Sequence, residues 1–525
     1  MTRSVVATWP TRSLLVVLFL AVLAQGIFFS QYIVPWEDEG GYLVLGAMSL
    51  RGEIRLFQDE MLGERLPLPF YVLGASQFVA GPNLVAARLL SLLTGLLAIW
   101  LVYRTGTVLG GALCGTLSAL FLATQAMVVA YYATAMYFAF CSLIIAAGFY
   151  LLAVHRAPIA SMVVFSLLSL TRPHLAVMVP VVLGYLLLRA PSRREQWLLL
   201  AVAALPPLIF FASSREHLKL LAYVPVLHHL VRPLGYESLF NLGGLAQAEA
   251  GESGWAEGRA IAWFIRRYVF WCAAGIGLTG GWLLIRLRSG GTVRGASSLM
   301  RFAVALLVYT LAWQVLILRH YPKSIAAWTA SFSPLPALVL GYFAAWLVAE
   351  HETPGWLRNT VALGLAAVFA FSPTYSTHAS MPNPLPPGGT TIALLGRLAQ
   401  QVAEHVPPGS RVFLLGSPLP AYLVGARPYV QQIIHTWTLV PQGDPGVLRR
   451  SGLWGRADIE AWLGRDAPYA LVNTRRLESL RRIRGYDELA DLIESSLSAH
   501  FRLVANIDAG PLGTYRVYER YRPRQ

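Results

Sequence analysis

Charged side chains are scarce in this chain of 525 residues, making up 13% of it against 56% hydrophobic. With a mean hydropathy of +0.53, that balance excludes a water-soluble globular protein of this size. Cysteine is scarcer. Cys114, Cys141 and Cys272 are the three in the chain, and each falls inside an apolar run, so neither a disulfide framework nor a cysteine-based zinc site is expected. Lysine occurs twice, at Lys219 and Lys323, against forty arginines, which reads as a compositional bias. No Gly-Lys-Ser/Thr phosphate loop and no Gly-x-Gly-x-x-Gly after a strand is present, so ATP-driven transport and dinucleotide redox chemistry lack support. No internal repeat is visible.

What the chain has in quantity is long apolar runs. They recur through its first three quarters, each long enough to approach a hydrocarbon core about 30 Å thick. Spans are expected at Leu14–Val34, Leu84–Tyr103, Thr107–Met127, Ala130–Ala153, Ile159–Leu170, His174–Leu188, Trp197–Phe211, Tyr268–Ile285, Phe302–Leu318, Ile325–Ala349 and Val361–Phe371. The first follows Arg3 and Arg12 but lacks a small-x-small cleavage site, so it reads as a retained helix. The net charge of +15 then belongs to topology more than to nucleic acid. With the N-terminus cytoplasmic, every short inner connection carries arginine: Arg104, Arg156, Arg189 with Arg193 and Arg194, Arg286 to Arg301, and Arg358. Arg172, Arg319 and Lys323 fall in short outer turns and run against that rule.

The fold expected is therefore an α-helical polytopic membrane protein of about eleven transmembrane helices over residues 1–373. A proline-rich linker, 374–390, cannot continue a helix and leads into a soluble extracytoplasmic α/β domain, 391–525. In that domain helices are expected at Ile392–His405 and Asp487–Ala499. Strand-like runs fall at Arg411–Gly416, Tyr469–Asn473, Phe501–Ala505 and Tyr515–Tyr518.

Directly after the first span stand Pro35, Trp36, Glu37, Asp38, Glu39, Gly40, Gly41 and Tyr42, with three consecutive carboxylates. Acids flanking the outer end of a helix are commonly just solvated. Here Tyr42–Leu50 is apolar but broken by glycine and serine, so it reads as an interfacial helix that holds the acids against the bilayer surface. The same loop continues with Asp59, Glu60, Glu64 and Arg65 before a Pro-initiated apolar segment at Pro67. A sugar transfer from a phosphate-linked donor needs a base for the acceptor hydroxyl and cations for the departing phosphate, and the loop offers both. The carboxylates could instead hold a divalent cation, Mg2+ or Mn2+, with the donor phosphate. A long outer loop, Ser213–Arg267, is rich in Arg and His, either to attract phosphate or because long translocated loops tolerate positive charge. His228-His229 lacks the helical spacing of a zinc pair, so no metal site is assigned.

The Asp38-Glu39 pair just after the first span, followed by Tyr42, resembles the signature of GT-C glycosyltransferases, among them protein O-mannosyltransferases and lipid A aminoarabinose transferases. Glu64 to Tyr71 is similar to the latter group's Glu-Lys-Pro element, with Arg65 in place of the lysine. Ala87 to Gly95 is similar to the Arg-Leu-x-Ser element, and Arg319-His320-Tyr321-Pro322-Lys323 to the basic-Tyr-Pro segment of a late outer loop. The resemblance implies a membrane glycosyltransferase of the bacterial inner membrane using a polyprenyl-phosphate sugar, active outside the cytoplasm where nucleotide sugars are absent. Asp38 would be its general base and Glu39 would orient that base or the local backbone. Arg65, Arg319, His320 and Lys323 would take the donor phosphate, and Tyr42, Asp59, Glu60 and Glu64 would support the acceptor side. The acceptor would be a glycan, a glycolipid or a protein. Two other readings of the residues stay open: a transporter or flippase for a lipid-linked glycan, and a non-catalytic membrane protein that binds a cell-wall glycan.

Overall fold

A computed structural model of the chain describes residues 9–57, 66–124, 128–223, 228–236, 298–318, 330–350, 386, 389–429, 438–451, 453–483 and 485–521. The spans expected at Tyr268–Ile285 and Val361–Phe371 lie outside these residues, as does most of the proline-rich linker. Among the described residues four helices are long and apolar enough to cross a membrane, and four shorter apolar helices accompany them.

Helix α1 (Trp9–Tyr32) stops before Pro35, whose ring prevents the preceding turn from continuing. Helix α2 (Glu37–Leu50) begins with the three acids, so they occupy its first turn and do not precede it. It is buried from Glu39 to Met48, so it is a packed element and not the surface-lying helix expected from Tyr42–Leu50. Its partner is α3 (Pro67–Ala80), started by Pro67 at its first position, where no N–H is missed. The two backbones touch where Gly46 meets Gly74. A β-carbon on Gly46 would stand 2.1 Å from the Phe70 carbonyl oxygen, and one on Gly74 2.3 Å from the Gly46 carbonyl carbon.

Helix α4 (Leu84–Thr124) merges the second and third expected spans, and the chain breaks direction at Gly110–Gly111, where Gly111 adopts φ +84. The apolar run expected as one span from Ala130 is divided. A short α5 (Val128–Tyr132) is followed by a non-helical turn through Tyr137, and α6 (Phe138–Tyr150) continues as a π-helical turn at Leu151–His155. Then come α7 (Pro158–Ser166), α8 (Pro173–Ala176), α9 (Met178–Leu187), α10 (Arg193–Ser213) and the single turn α11 (His228–Val231). After residue 297 follow α12 (Ser298–Leu318) and α13 (Pro334–Glu350). Helix α13 packs along α4, with Gly341 against Ser118. Val16, Val17 and Leu20 of α1, Leu93 and Leu97 of α4, and Leu205, Leu208 and Ile209 of α10 are exposed. Apolar side chains that face outward on helices already apolar inward mark a lipid-facing surface.

The C-terminal part begins with α14 (Thr391–Ala403), capped by the Thr390 hydroxyl, which accepts from the Ala393 N–H. A five-stranded sheet follows, in the order β2 (Arg427–Pro428), β1 (Arg411–Leu415), β3 (Tyr469–Asn473), β5 (Thr514–Arg520), β4 (Phe501–Asp508). The first three are parallel and the last two antiparallel. Strand β1 is buried from Val412 to Leu415 and β3 from Tyr469 to Val472, the continuous apolar pattern of strands covered on both faces. Connecting them are α15 (Leu419–Leu423), α16 (Pro445–Arg450), α17 (Arg456–Ala461), α18 (Thr474–Arg481) and α19 (Asp487–His500).

The sheet unit is seated on the membrane bundle. Leu395, Leu398, Leu419 and Tyr515 share one apolar core with α1 to α4. The Thr391 hydroxyl donates to the carbonyls of Gln31 (2.8 Å) and Ile33 (3.1 Å), two of the carbonyls that the end of α1 leaves unpaired. A β-carbon on Gly40 would lie 2.6 Å from the Pro418 ring, so α15 sits directly over the first turn of α2.

Candidate active site

The first turn of α2 holds three acids where the helix dipole favours negative charge, and the fold gives each a different surrounding. Glu39 is the most constrained. Its Oε2 accepts the N–H of Trp36 at 3.0 Å, closing the turn on itself. Arg88, near the start of α4, donates from Nε to Oε1 (2.9 Å) and from Nη2 to Oε2 (2.8 Å), a two-pronged pair with both side chains fully buried. The Ala135 N–H adds a bond to Oε1 at 2.7 Å. Arg88 Nη1 donates to the carbonyls of Ser30 (2.7 Å) and Ile33 (3.1 Å). One ion pair thus ties the end of α1, the start of α2, the start of α4 and the turn before α6. Glu39 therefore holds the local backbone, and its oxygens are occupied in doing so.

Glu37 faces the other way. Its Oε2 accepts from Arg476 Nη2 of α18 at 3.0 Å, in a half-buried pair between the bundle and the sheet unit. Arg476 is placed by its own backbone, whose N–H caps α18 on the Asn473 side chain, and Asn473 ends strand β3. The neighbouring Tyr515 hydroxyl is buried, which pushes it up to about 12; the Asn473 side chain opposes that shift and Glu37 adds to it.

Asp38 stands between these two acids, half-buried. It acts electrostatically on the Tyr137 hydroxyl, and so does Arg172. The Arg172 guanidinium lies 4.1 Å from the centre of the Tyr137 ring and the side chain is 3% exposed, so a cation is held deep in the packing against Tyr137. Tyr42 is buried one turn further along α2, against Phe70 (ring centres 4.6 Å apart) and Tyr137 (6.3 Å). A small, largely apolar gap of about 10 Å3, lined by Leu73, Leu90, Thr94, Met136, Tyr137 and Phe140, lies between α3, α4 and α6.

Asp59, Glu60, Glu64, Arg65, Arg319, His320 and Lys323 lie outside the described residues. Phe57, at φ +67 just before residues 58–65, packs its ring at 6.0 Å from that of His217, which stacks on Phe210 at 4.2 Å. His217 and Lys219 are both buried, the latter 3.8 Å from Glu216. His217 thus packs against Phe57, at the end of the stretch that follows α2.

A divalent cation on the three acids does not fit this arrangement. Glu39 has both oxygens in use, Glu37 is turned toward Arg476, and among the described residues no three His, Cys, Asp or Glu side chains converge.

Three arginines matter here beyond those expected from sequence. Arg88 carried a signal, a charge inside an apolar span. Arg172 carried another, a positive residue in an outer turn. Arg476, one of many arginines in the last hundred residues, carried none.

No family model matches the chain, and no curated protein sequence matches it. Among solved structures, ArnT from Cupriavidus metallidurans bound to undecaprenyl phosphate is similar over 96% of this chain and 98% of that one, with 15% identity and a TM-score of 0.51. The oligosaccharyltransferase of Archaeoglobus fulgidus tethered with an acceptor peptide matches over 96% of this chain and 74% of its own, at 12% identity and a TM-score of 0.42. At such identity the ArnT likeness, which spans nearly the whole of both chains, shows that this chain shares the fold of that structure.

Proposed function

We propose that the chain is a membrane glycosyltransferase that moves a sugar from a polyprenyl-phosphate donor to an acceptor hydroxyl. The observation that carries this reading is the division of labour in one helical turn. Glu39 and Glu37 are each engaged by an arginine, while Asp38 between them acts, together with Arg172, on the buried Tyr137 hydroxyl. A base and a buried cation gathered at one tyrosine are what transfer from a lipid phosphate can use. The similar ArnT structure, bound to undecaprenyl phosphate, supports a donor of this class.

In the reaction Asp38 takes the proton of the acceptor hydroxyl as its oxygen attacks the anomeric carbon. The bond from that carbon to the phosphate oxygen breaks on the opposite face, and the lipid phosphate leaves with the electron pair, inverting the centre. Arg172 neutralises the leaving phosphate together with Arg65, Arg319, His320 and Lys323. Tyr42, Asp59, Glu60 and Glu64 line the acceptor side. The reading places the transmembrane catalytic part at 1–373, the linker at 374–390 and the α/β unit at 391–525, outside the cytoplasm over the acceptor entrance.

The test is transfer of radiolabelled sugar from a panel of synthetic polyprenyl-phosphate sugars by purified protein. Asp38→Asn is expected to lower the rate by about 10²- to 10⁴-fold with donor binding retained. Wild-type rates in Asp38→Asn, or donor binding with no transfer to any cell-envelope extract, would overturn the reading.

A further inference from the structure

Away from the acidic turn, a cavity of about 410 Å3 opens among the helix ends that carry the arginines. Its walls include Leu109 beside the Gly110–Gly111 break in α4, Leu152 and Arg156 after α6, Tyr185 and Arg189 at the end of α9, and Glu195 in the first turn of α10. The volume lies in the range, roughly 300–1,000 Å3, of sites that hold a small molecule.

Its charged groups are set apart. Arg156 has left-handed backbone, φ +50, unusual for a residue with a side chain, and it closes the π-helical turn by donating its N–H to the Leu151 carbonyl. The Arg189 guanidinium is 4.9 Å from the centre of the Tyr185 ring, and that ring stacks on Phe302 of α12 at 3.9 Å. Glu195 faces the same space. Neither arginine forms an ion pair with Glu195 or with any other described residue, although all three line one cavity. Two cations and one anion held apart around a gap complement a ligand carrying a phosphodiester and, a few bonds away, an ammonium group.

The surroundings favour a lipid as its source. Trp197, two residues beyond Glu195, is 71% exposed and Leu188, one residue before Arg189, is 90% exposed, the amphipathic and apolar side chains expected where a helix end meets the membrane interface. Leu109, Leu152 and Leu186 supply apolar wall for a glycerol backbone and the start of its acyl chains.

We infer that this cavity binds the headgroup of an amine-bearing phospholipid of the phosphatidylethanolamine type. Arg156 and Arg189 hold the phosphate, and Glu195 accepts hydrogen bonds from the ammonium group. The site is separate from the Asp38 turn and does not depend on the reaction proposed for it.

The test is native mass spectrometry of the detergent-purified full chain, delipidated and offered equal amounts of phosphatidylethanolamine, phosphatidylglycerol and phosphatidylcholine. Wild type is expected to retain phosphatidylethanolamine over both. The double variant Arg156→Gln/Arg189→Gln should retain roughly tenfold less of it, the scale of lost charge-assisted hydrogen bonds. Glu195→Gln, a change at a partly exposed position, should turn the preference to phosphatidylglycerol. Equal retention of phosphatidylcholine by wild type, an unchanged preference in Glu195→Gln, or displacement by millimolar inorganic phosphate would each overturn the inference.

Discussion

The membrane bundle and the C-terminal sheet unit both grip the first turn of α2, by ion pairs of different character. The bundle holds Glu39 through Arg88, with both side chains fully buried and further bonds to the carbonyls of Ser30 and Ile33. The sheet unit holds Glu37 through Arg476, with both side chains partly exposed. Two residues apart in sequence, these acids sit in different dielectric settings. The difference teaches which contact builds the site and which tunes it. A buried pair cannot lose one member without leaving the other's charge stranded, whereas a partly exposed pair can be replaced by water.

The largest expected effect breaks the inner pair. Arg88→Met leaves Glu39 buried without its cation, and should cost about 3–5 kcal/mol of stability, seen as lost yield of folded protein or a lowered Tm in detergent. If Arg88→Met is as stable as wild type, the inner pair has no special standing and the comparison fails. Next comes the glycine contact that sets α2 against α3. Gly74→Val places a branched side chain where a β-carbon already lies 2.3 Å from the Gly46 carbonyl carbon. Overpacking of this kind costs typically about 1–3 kcal/mol, again read as Tm.

The outer pair should be milder. Arg476→Ala is expected to shift stability by no more than about 1 kcal/mol, while lowering kcat of sugar transfer because the turn bearing Asp38 loses its hold on β3. Arg476→Lys should recover part of that loss. A change in Tm alone, with kcat untouched, would make the outer pair purely structural.

A smaller effect is a pH dependence. The Tyr515 hydroxyl is held neutral by burial, with its value raised from 10.0 to about 12. A raised value of this sign contributes stability that is whole below pH 10 and lost as pH rises toward 12, at most about 1.4 kcal/mol per pH unit. Tyr515→Phe should therefore flatten that part of the stability profile relative to wild type. The smallest change is expected at the rim, where Arg427 meets Glu53 at 3.4 Å with 57% of its side chain exposed. Arg427→Ala should move Tm within about 0.5 kcal/mol of wild-type stability.

Much of this architecture was legible in the chain itself. Apolar runs located most of the described apolar helices because the period and length of a span depend only on its own residues. Pro67 announced the start of α3, and buried runs such as Arg411–Leu415 and Tyr469–Asn473 stand as strands. The run from Ala130 misled for a tertiary reason. The Ala135 N–H, which a continuous helix would have used internally, is given to Glu39 ninety-six positions earlier, and the backbone turns there to reach it. The roles within Glu37-Asp38-Glu39 were equally hidden, since three adjacent carboxylates are chemically almost alike until the arginines around them are known.

The sequence by itself determined that this chain belongs in a membrane, roughly where most of its described apolar helices run, and which turn gathers acids beside a tyrosine. Those features follow from composition, periodicity and local chemistry, which need no partner. Only the tertiary structure decided that Glu39 is a buried anchor, that Glu37 is tied to the sheet unit through Arg476, and that Arg172 and Asp38 both come to act on Tyr137. A side chain's charge is written in its residue, but its neighbours, and hence the work that charge can do, are assembled from segments that only folding brings together.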